Sequence, residues 1–542
     1  MPITHVVLQT AEQHPDRIAI AGEDGRLTYA ELVEDSRHMF AAVESLHRAQ
    51  PEPPAPAPET RGIPITAVSV ESAFHTSRIV AGLAGYRAVS ATLDPRWPIE
   101  HRVGVVLSTG IGVIVSDSAD LAEALAARGW TGTVVSLQEF RELEGGAVPA
   151  PMPAVRGGEE PFLMLFSSGT TSNPKAFLKT REQYRANVAV SSAHLEPLPG
   201  VATLAPGPVS YSLTLYALIE CMATGGSAHM ADQFDAIDAG RRIAAVGITR
   251  VVAVPAVAQG LAAAARRDPE RFASLELVVT GGANLPESIR TGLAEALPGV
   301  RLISYYGAAE IGFIGDSRDG DGTLISLYDG IEASIRDDAG NPVPDGELGT
   351  LWIRADACSD GYLAGTTTEV LRGADGWATV HDQGRLVLAE GGQSAAEAGP
   401  GTGGASTGGV ASAEAGAAGS PAPRPRLQLV GRRGDIAVTG GHKVALPEVE
   451  RAFDGMPGLG AVCAVALPDA ALGTVVALVV EPESAAGVPG KAQLQEWAHA
   501  RLAPQFVPRR WYAVDRLPRT VGQKIRRPAT AELVQEGRAR RL

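Results

Sequence analysis

Short apolar runs alternating with helical periodicity fill the first half of the chain and restrict its fold more than any other feature. Ile65 to Val70 reads as a strand and Ala73 to Ala84 as a helix; Val113-Ile114-Val115 is again a strand and Leu121 to Arg128 a helix. This alternation, continuing to about Val209, predicts parallel βαβ units with helices on both faces of a sheet. It returns at Arg250 to Val254 and at Leu275 to Gly282, where the strand ends in Gly281-Gly282. Such sheets place ligands at the carboxyl ends of their strands. At 542 residues the chain exceeds one ordinary core, so two or more domains are expected.

Near the start, Thr28 is placed to cap a helix, with Glu31 completing a capping box. Pro51 to Glu59 is proline-rich and reads as a surface loop. Residues 391–426 are almost entirely Gly, Ala, Ser, Pro and Thr, which predicts a disordered insert. After it, Leu427 to Val438 reads as a strand broken by a turn at Gly431-Arg432-Arg433-Gly434-Asp435. A helix follows at Leu446 to Phe453, then strands at Val462 to Leu467 and Thr474 to Val480, and a helix at Leu494 to Leu502. The expected architecture is α/β. A large N-terminal domain, 1–430, holds mixed and parallel sheets flanked by helices, and a small mobile α+β domain, 431–542, follows it.

A net charge of −14 makes a nucleic-acid backbone a poor partner. Cys221, Cys358 and Cys463 have neither metal-ligand nor disulfide spacing and read as buried apolar residues. No signal-peptide pattern opens the chain. Val251 to Ala265 is too short for a span and contains Pro255, so a cytoplasmic protein without a membrane span is expected.

Chemistry enters at Ser167-Ser168-Gly169-Thr170-Thr171-Ser172-Asn173-Pro174-Lys175-Ala176, after the apolar run Pro161 to Phe166. Crowded backbone N–H and hydroxyl donors, with one lysine, suit a polyphosphate; a hydrophilic surface turn is the plain alternative. Four stretches accompany it. They are Leu27 to Leu32, Ala91-Thr92-Leu93-Asp94-Pro95-Arg96-Trp97-Pro98 with Arg102, Tyr305-Tyr306-Gly307-Ala308-Ala309-Glu310, and Leu517 to Lys524. With these in order, the chain from about residue 12 to residue 530 resembles the adenylate-forming superfamily of acyl-CoA ligases, peptide-synthetase adenylation domains and luciferases.

The resemblance implies a two-step reaction. A carboxylate attacks the α-phosphorus of ATP, giving acyl-AMP and pyrophosphate, and a thiol then takes the acyl group. It implies that Ser167, Ser168, Gly169, Thr170, Thr171 and Lys175 hold the β- and γ-phosphates, offsetting charge on the leaving pyrophosphate. Tyr306 would stack on adenine beside Gly307, with Gly281, Gly282 and Ala283 passing close to the base. Glu310 would hold Mg²⁺. Asp382 would accept the ribose hydroxyls, with Arg432 approaching from across the domain boundary. Lys524 would be the catalytic lysine, bridging carboxylate and α-phosphate, and the hinge would lie near Gly434-Asp435.

Several positions depart from the family pattern: Ser172 and Ala176 in the loop, Ala309 in place of a threonine, Gly440-Gly441 in the turn before the late helix, and Gln523 before Lys524. Ser212 stands where amino-acid-activating relatives carry an aspartate, which argues against an α-amino acid, whose buried ammonium would lack a counter-charge. With Tyr211 as gate, Leu213, Tyr216, Thr280, Ile303 and Tyr305 would line a pocket for an aryl or short-to-medium aliphatic acid. The acceptor would be CoA, favoured by Gly440-Gly441 and by the basic pair Arg526-Arg527 facing its phosphates. The alternative is the phosphopantetheine of a separate carrier protein loaded with a β-amino, aryl or other acid. A third reading keeps the fold without catalysis.

Overall fold

The computed structural model describes residues 3–167, 174–282, 285–318, 323–387, 425–439, 442–469, 473–484, 487–502, 504–520 and 523–542. The expected insert at 391–426 falls outside them, apart from Pro425 and Arg426.

Six strands form one sheet in the order Thr133–Val135, Val113–Val115, Ile65–Val68, Val89–Thr92, Pro161–Ser167 (β1) and Lys175–Thr180 (β2). All neighbours are parallel except β1 and β2, which pair antiparallel and flank the loop of interest. Ile65, Val89, Ala91, Ile114 and Met164 are fully buried here, as a parallel strand with both faces covered requires. The helix Ala73–Leu83 crosses over between the first two parallel strands in sequence. The preceding helix, Tyr29–Arg48, starts as its sequence predicts: Glu31 N–H donates to Thr28 Oγ1 and Glu31 Oε2 accepts from Thr28 N–H.

A second, thirteen-stranded sheet is antiparallel through one half and parallel through the other, where the antiparallel pair Ile18–Ala21 and Arg26–Thr28 forms the edge. Within it the helix Ser212–Thr224 (α1) packs near the parallel strands Leu277–Thr280 (β3) and Arg301–Ala308 (β4). Gly312–Ser317 (β5) then turns back antiparallel on β4, while Asp382–Val387 (β6) and Arg426–Arg432 (β7) pair farther along. The large domain is therefore mixed α/β. The small domain carries the antiparallel hairpin Ile436–Thr439 and His442–Ala445, and a four-stranded sheet containing Leu459–Asp469, Gly473–Pro482 and Arg510–Ala513. Val444, Leu446, Phe453, Leu478, Leu494 and Trp511 form its core. All three cysteines are free and buried, and among the described residues no helix is long and apolar enough to cross a membrane.

Candidate active site

The loop expected to hold phosphates joins β1 to β2. Ser168, Gly169, Thr170, Thr171 and the variant Ser172 lie outside the described residues, but both ends of the loop are placed. Ser167 pairs with Lys175 across the hairpin, and its buried Oγ has no hydrogen-bond partner among the described residues. An orphaned buried hydroxyl is costly unless a ligand satisfies it. Lys175 Nζ lies 2.5 Å from Glu369 Oε2 and 5.4 Å from the centroid of the Tyr362 ring. Ala176 is fully buried in the core beneath. Its methyl group therefore does packing work, a physical reason for that departure.

The stretch expected to meet the nucleotide, Tyr305 to Glu310, closes β4 and forms the turn after it. The ladder slips between Tyr306 and Gly307, and a Cβ at Gly307 would stand 2.5 Å from the Gly312 carbonyl, so only glycine fits there. Tyr306 Oη donates to Asp382 Oδ2 at 2.7 Å, and Arg432 Nε lies 3.6 Å from Asp382 Oδ1. Asp382 and Arg432 are direct cross-strand partners on β6 and β7. Arg432 thus reaches the aspartate from the same sheet, two residues past the boundary expected at 430. Burial pushes the Asp382 carboxyl up, against the pull of Arg432, the Tyr306 hydroxyl and Lys524.

Glu310, only 6% exposed, is held from three sides. Its carbonyl accepts from Lys179 Nζ and from Ser359 N–H, each at 2.8 Å. Its Oε1 accepts from Tyr362 Oη at 2.9 Å. Among the described residues no lysine or arginine forms an ion pair with its carboxylate. A carboxylate so placed is a hard ligand, which fits Mg²⁺ bound together with phosphate oxygens.

Lys179 was not anticipated from sequence. It sits in a strand whose neighbours Ala176, Phe177 and Leu178 are buried, and it donates a second hydrogen bond to Ala357 O at 2.6 Å. Burial lowers its pKa from 10.5 to about 8, partly opposed by Cys358 and Glu310. The folded chain therefore releases this proton before the unfolded chain does, and stability rises with pH across that window. The expected gain between pH 8 and 9 is about 1 kcal/mol. It is absent in Lys179→Met, and urea denaturation of both proteins at the two pH values checks it. The buried thiols of Cys221 and Cys463, pushed up by desolvation, oppose this trend within the same window, and buried tyrosines such as Tyr184 and Tyr216 oppose it above about pH 10. The Lys179 contribution is therefore read as the difference between the two proteins.

Lys524 enters from the small domain. Thr520 N–H donates to Lys524 O and Lys524 N–H to Thr520 Oγ1, closing a tight turn in which Gln523 takes a φ of +63°. A left-handed non-glycine residue is a strained conformation that the surrounding turn must hold in place. Lys524 Nζ lies 3.9 Å from the point a side chain on Gly282 would occupy, and Gly282 itself has a φ of +78°. The side chain keeps solvent access. Even so, surrounding protein and the Arg432 guanidinium hold its pKa below the ordinary lysine value, with Asp382 opposing. Ala283 lies outside the described residues.

The residues expected to line a pocket for the acid are brought together only in part. α1 begins at Ser212 with Tyr211 at its cap, and no side chain caps it. Leu213, Tyr216, Ile303 and Tyr305 share one core with Val279. Tyr216 Oη donates to Ala309 O at 2.8 Å, tying α1 to the turn after β4. Thr280 does not join them. Its strand neighbour Val278 faces another core, and two-residue alternation turns Thr280 the same way. Gly281 takes the facing position, since a Cβ there would stand 2.4 Å from the Tyr305 ring. The sequence placement was one residue out, which in a strand means the wrong face. Upstream, the buried Asp94 receives Arg96 Nε and Nη2 at 2.9 and 2.8 Å and Ser210 Oγ at 3.2 Å. It thereby fixes the turn that leads into α1.

The basic pair expected at the phosphates of CoA is corrected. Arg527 points inward, donating from Nε to Asp435 Oδ1 at 2.7 Å and from Nη2 to Glu450 Oε2 at 3.1 Å. Two half-buried carboxylates claim this guanidinium, so only Arg526 of the pair stays exposed. Asp435, at the expected hinge, also accepts from Arg432 N–H at 3.3 Å. Gly440 and Gly441 lie outside the described residues.

The family model described as AMP-binding enzyme matches residues 66–363, more than half of the chain. The chain belongs to the AMP-binding enzymes. The AMP-binding enzyme C-terminal domain matches residues 448–524, ending on Lys524. This AMP-binding enzyme is 24% identical over 548 residues to the uncharacterized acyl–CoA ligase YhfT of Bacillus subtilis, covering 99% of each chain. It is 23% identical to 4-chlorobenzoate–CoA ligase of Arthrobacter, covering 97% of this chain and 94% of that protein. Its fold matches ATP-bound MatB from Rhodopseudomonas palustris with a TM-score of 0.80 at 19% identity, over 98% of this chain and 99% of that one. Its make-up is that of an AMP-forming, acid–CoA ligase-like enzyme.

Proposed function

We propose that this AMP-binding enzyme joins an aryl or short-to-medium aliphatic acid to ATP and passes the acyl group to CoA. The observation that carries this reading is the meeting of Lys524 with Gly282, Asp382 and Arg432 across two domains. In the first step a substrate carboxylate oxygen bonds to the α-phosphorus, and the bond to the β-phosphate's bridging oxygen breaks. The electron pair leaves with pyrophosphate. Lys524 brings its ammonium to the oxygens that gather charge at phosphorus, which favours the transition state over the ground state. Ser167 and Lys175 receive the leaving pyrophosphate, Asp382 orients the ribose, and Glu310 would hold Mg²⁺, which would neutralise phosphate charge. In the second step a thiolate sulfur attacks the acyl carbon and AMP leaves.

Ser212 at the start of α1 supports an acid without an α-ammonium, because Leu213, Tyr216, Ile303 and Tyr305 offer it no counter-charge. The relatives named for 4-chlorobenzoate and for acyl–CoA ligation support the same class. The inward commitment of Arg527 removes one reason to prefer CoA, and a carrier-protein phosphopantetheine is the second reading. A pyrophosphate-release screen over aryl, aliphatic and β-amino acids, followed by thioester assays with CoA and with a holo-carrier protein, tests both. Release with an aryl or aliphatic acid and thioester formation with CoA is the expected result. Thioester formation with the carrier alone would overturn the choice of acceptor, and no release with any acid would overturn the activity.

A further inference from the structure

Lys175 already has an anionic partner. Its ammonium, only 14% exposed, meets the carboxylate of Glu369, which is 40% exposed. The same carboxylate oxygen lies 3.7 Å from His381 Nε2, one residue before Asp382. The segment carrying Glu369 is stitched to β2 rather than hanging free. Leu363 N–H donates to Ala176 O at 2.8 Å, and Ala176 N–H to Thr366 Oγ1 at 3.3 Å. Thr366 Oγ1 donates to Leu363 O at 2.8 Å, and Glu369 N–H to Thr367 Oγ1 at 3.1 Å. Tyr362, at the head of the segment, bridges Phe177 and places its ring against the same ammonium. The fold itself therefore delivers a carboxylate to the place where Lys175 would meet a phosphate.

A half-exposed ion pair is weak and exchangeable. A polyphosphate brings several charges to the same ammonium and displaces the single carboxylate, for which His381 stands as an alternative neighbour. A nucleoside monophosphate, seated by Asp382 and Tyr306, has no group for Lys175 and leaves the pair intact. We infer that Glu369 is a specificity residue, an internal competitor for Lys175 that the terminal phosphates of a nucleoside triphosphate must displace. This rests on the reading of Lys175 as part of the phosphate cradle.

The test is calorimetric titration of the full chain with ATP, inorganic pyrophosphate and AMP, each with Mg²⁺. The proteins are the wild type, Glu369→Gln, Lys175→Met and the double variant. Glu369→Gln removes charge from an exposed side chain with almost no change in shape. It is expected to bind ATP and pyrophosphate on the order of two- to fivefold more tightly and AMP unchanged. In the Lys175→Met background the same substitution is expected to change nothing. Equal or weaker ATP binding in Glu369→Gln would overturn the inference, as would tightening that AMP shares or that survives the loss of Lys175. If Lys175→Met itself bound ATP as well as the wild type, the cradle reading would fall first and this one with it.

Discussion

Lys524→Ala is expected to slow pyrophosphate release about a hundred- to a thousandfold at saturating ATP and acid, the usual result of losing one preorganised charge-stabilising donor. The fold gives a clean setting for this test. The turn that presents Lys524 is closed by backbone groups and by Thr520, and the ammonium forms no hydrogen bond or ion pair with the described residues. Stability should therefore change by no more than about 0.5 kcal/mol, the range of an ordinary surface substitution. A chemical denaturation curve beside the rate assay separates loss of catalysis from loss of fold. An unchanged rate would remove Lys524 from the mechanism, and with it the functional meaning of its approach to Gly282.

Arg527→Ala is expected to destabilise the small domain by about 1–3 kcal/mol, because it leaves the half-buried carboxylates of Glu450 and Asp435 without their counter-ion. Glu450 is the group at risk. Burial already pushes its pKa up, and Arg527 is the main opposing influence. Trp511, in the adjoining core, and Trp497 give a fluorescence signal for guanidinium unfolding of this domain. Glu450→Gln in the same background should recover part of the loss, since the amide needs no counter-charge. A loss below about 1 kcal/mol would show that water reaches Glu450 and that the pair is a surface feature.

The contrast between these two residues shows what was readable in the chain. Lys524 stands in a local run whose order with the other motifs carries its expected role, and in the structure its ammonium lies close to Gly282. Arg527 had an equally basic sequence context, yet its partners lie 92 and 77 residues away. No local pattern announces such a pairing, so a free basic patch was the natural reading. The strand before the expected phosphate loop and the capping box at Thr28 were legible because both are short-range devices. Thr280 failed through a one-residue offset, to which a strand is unforgiving and a loop indifferent. Lys179, Tyr362 and Glu369 left no signal, because a lysine among apolar residues and a tyrosine or glutamate in a polar segment are ordinary until tertiary structure groups them.

The ladder between β6 and β7 has a consequence beyond the role proposed for Asp382. Its pairing runs from Asp382 opposite Arg432 to Val387 opposite Arg426, so the two functional residues are locked at the end away from the chain that joins the strands. Cross-strand register at the working end is thus independent of how long that joining chain is or what it is made of. The pairing of Asp382 with Arg432 thus belongs to the strands themselves, and a change in the chain that joins them leaves these two side chains facing each other.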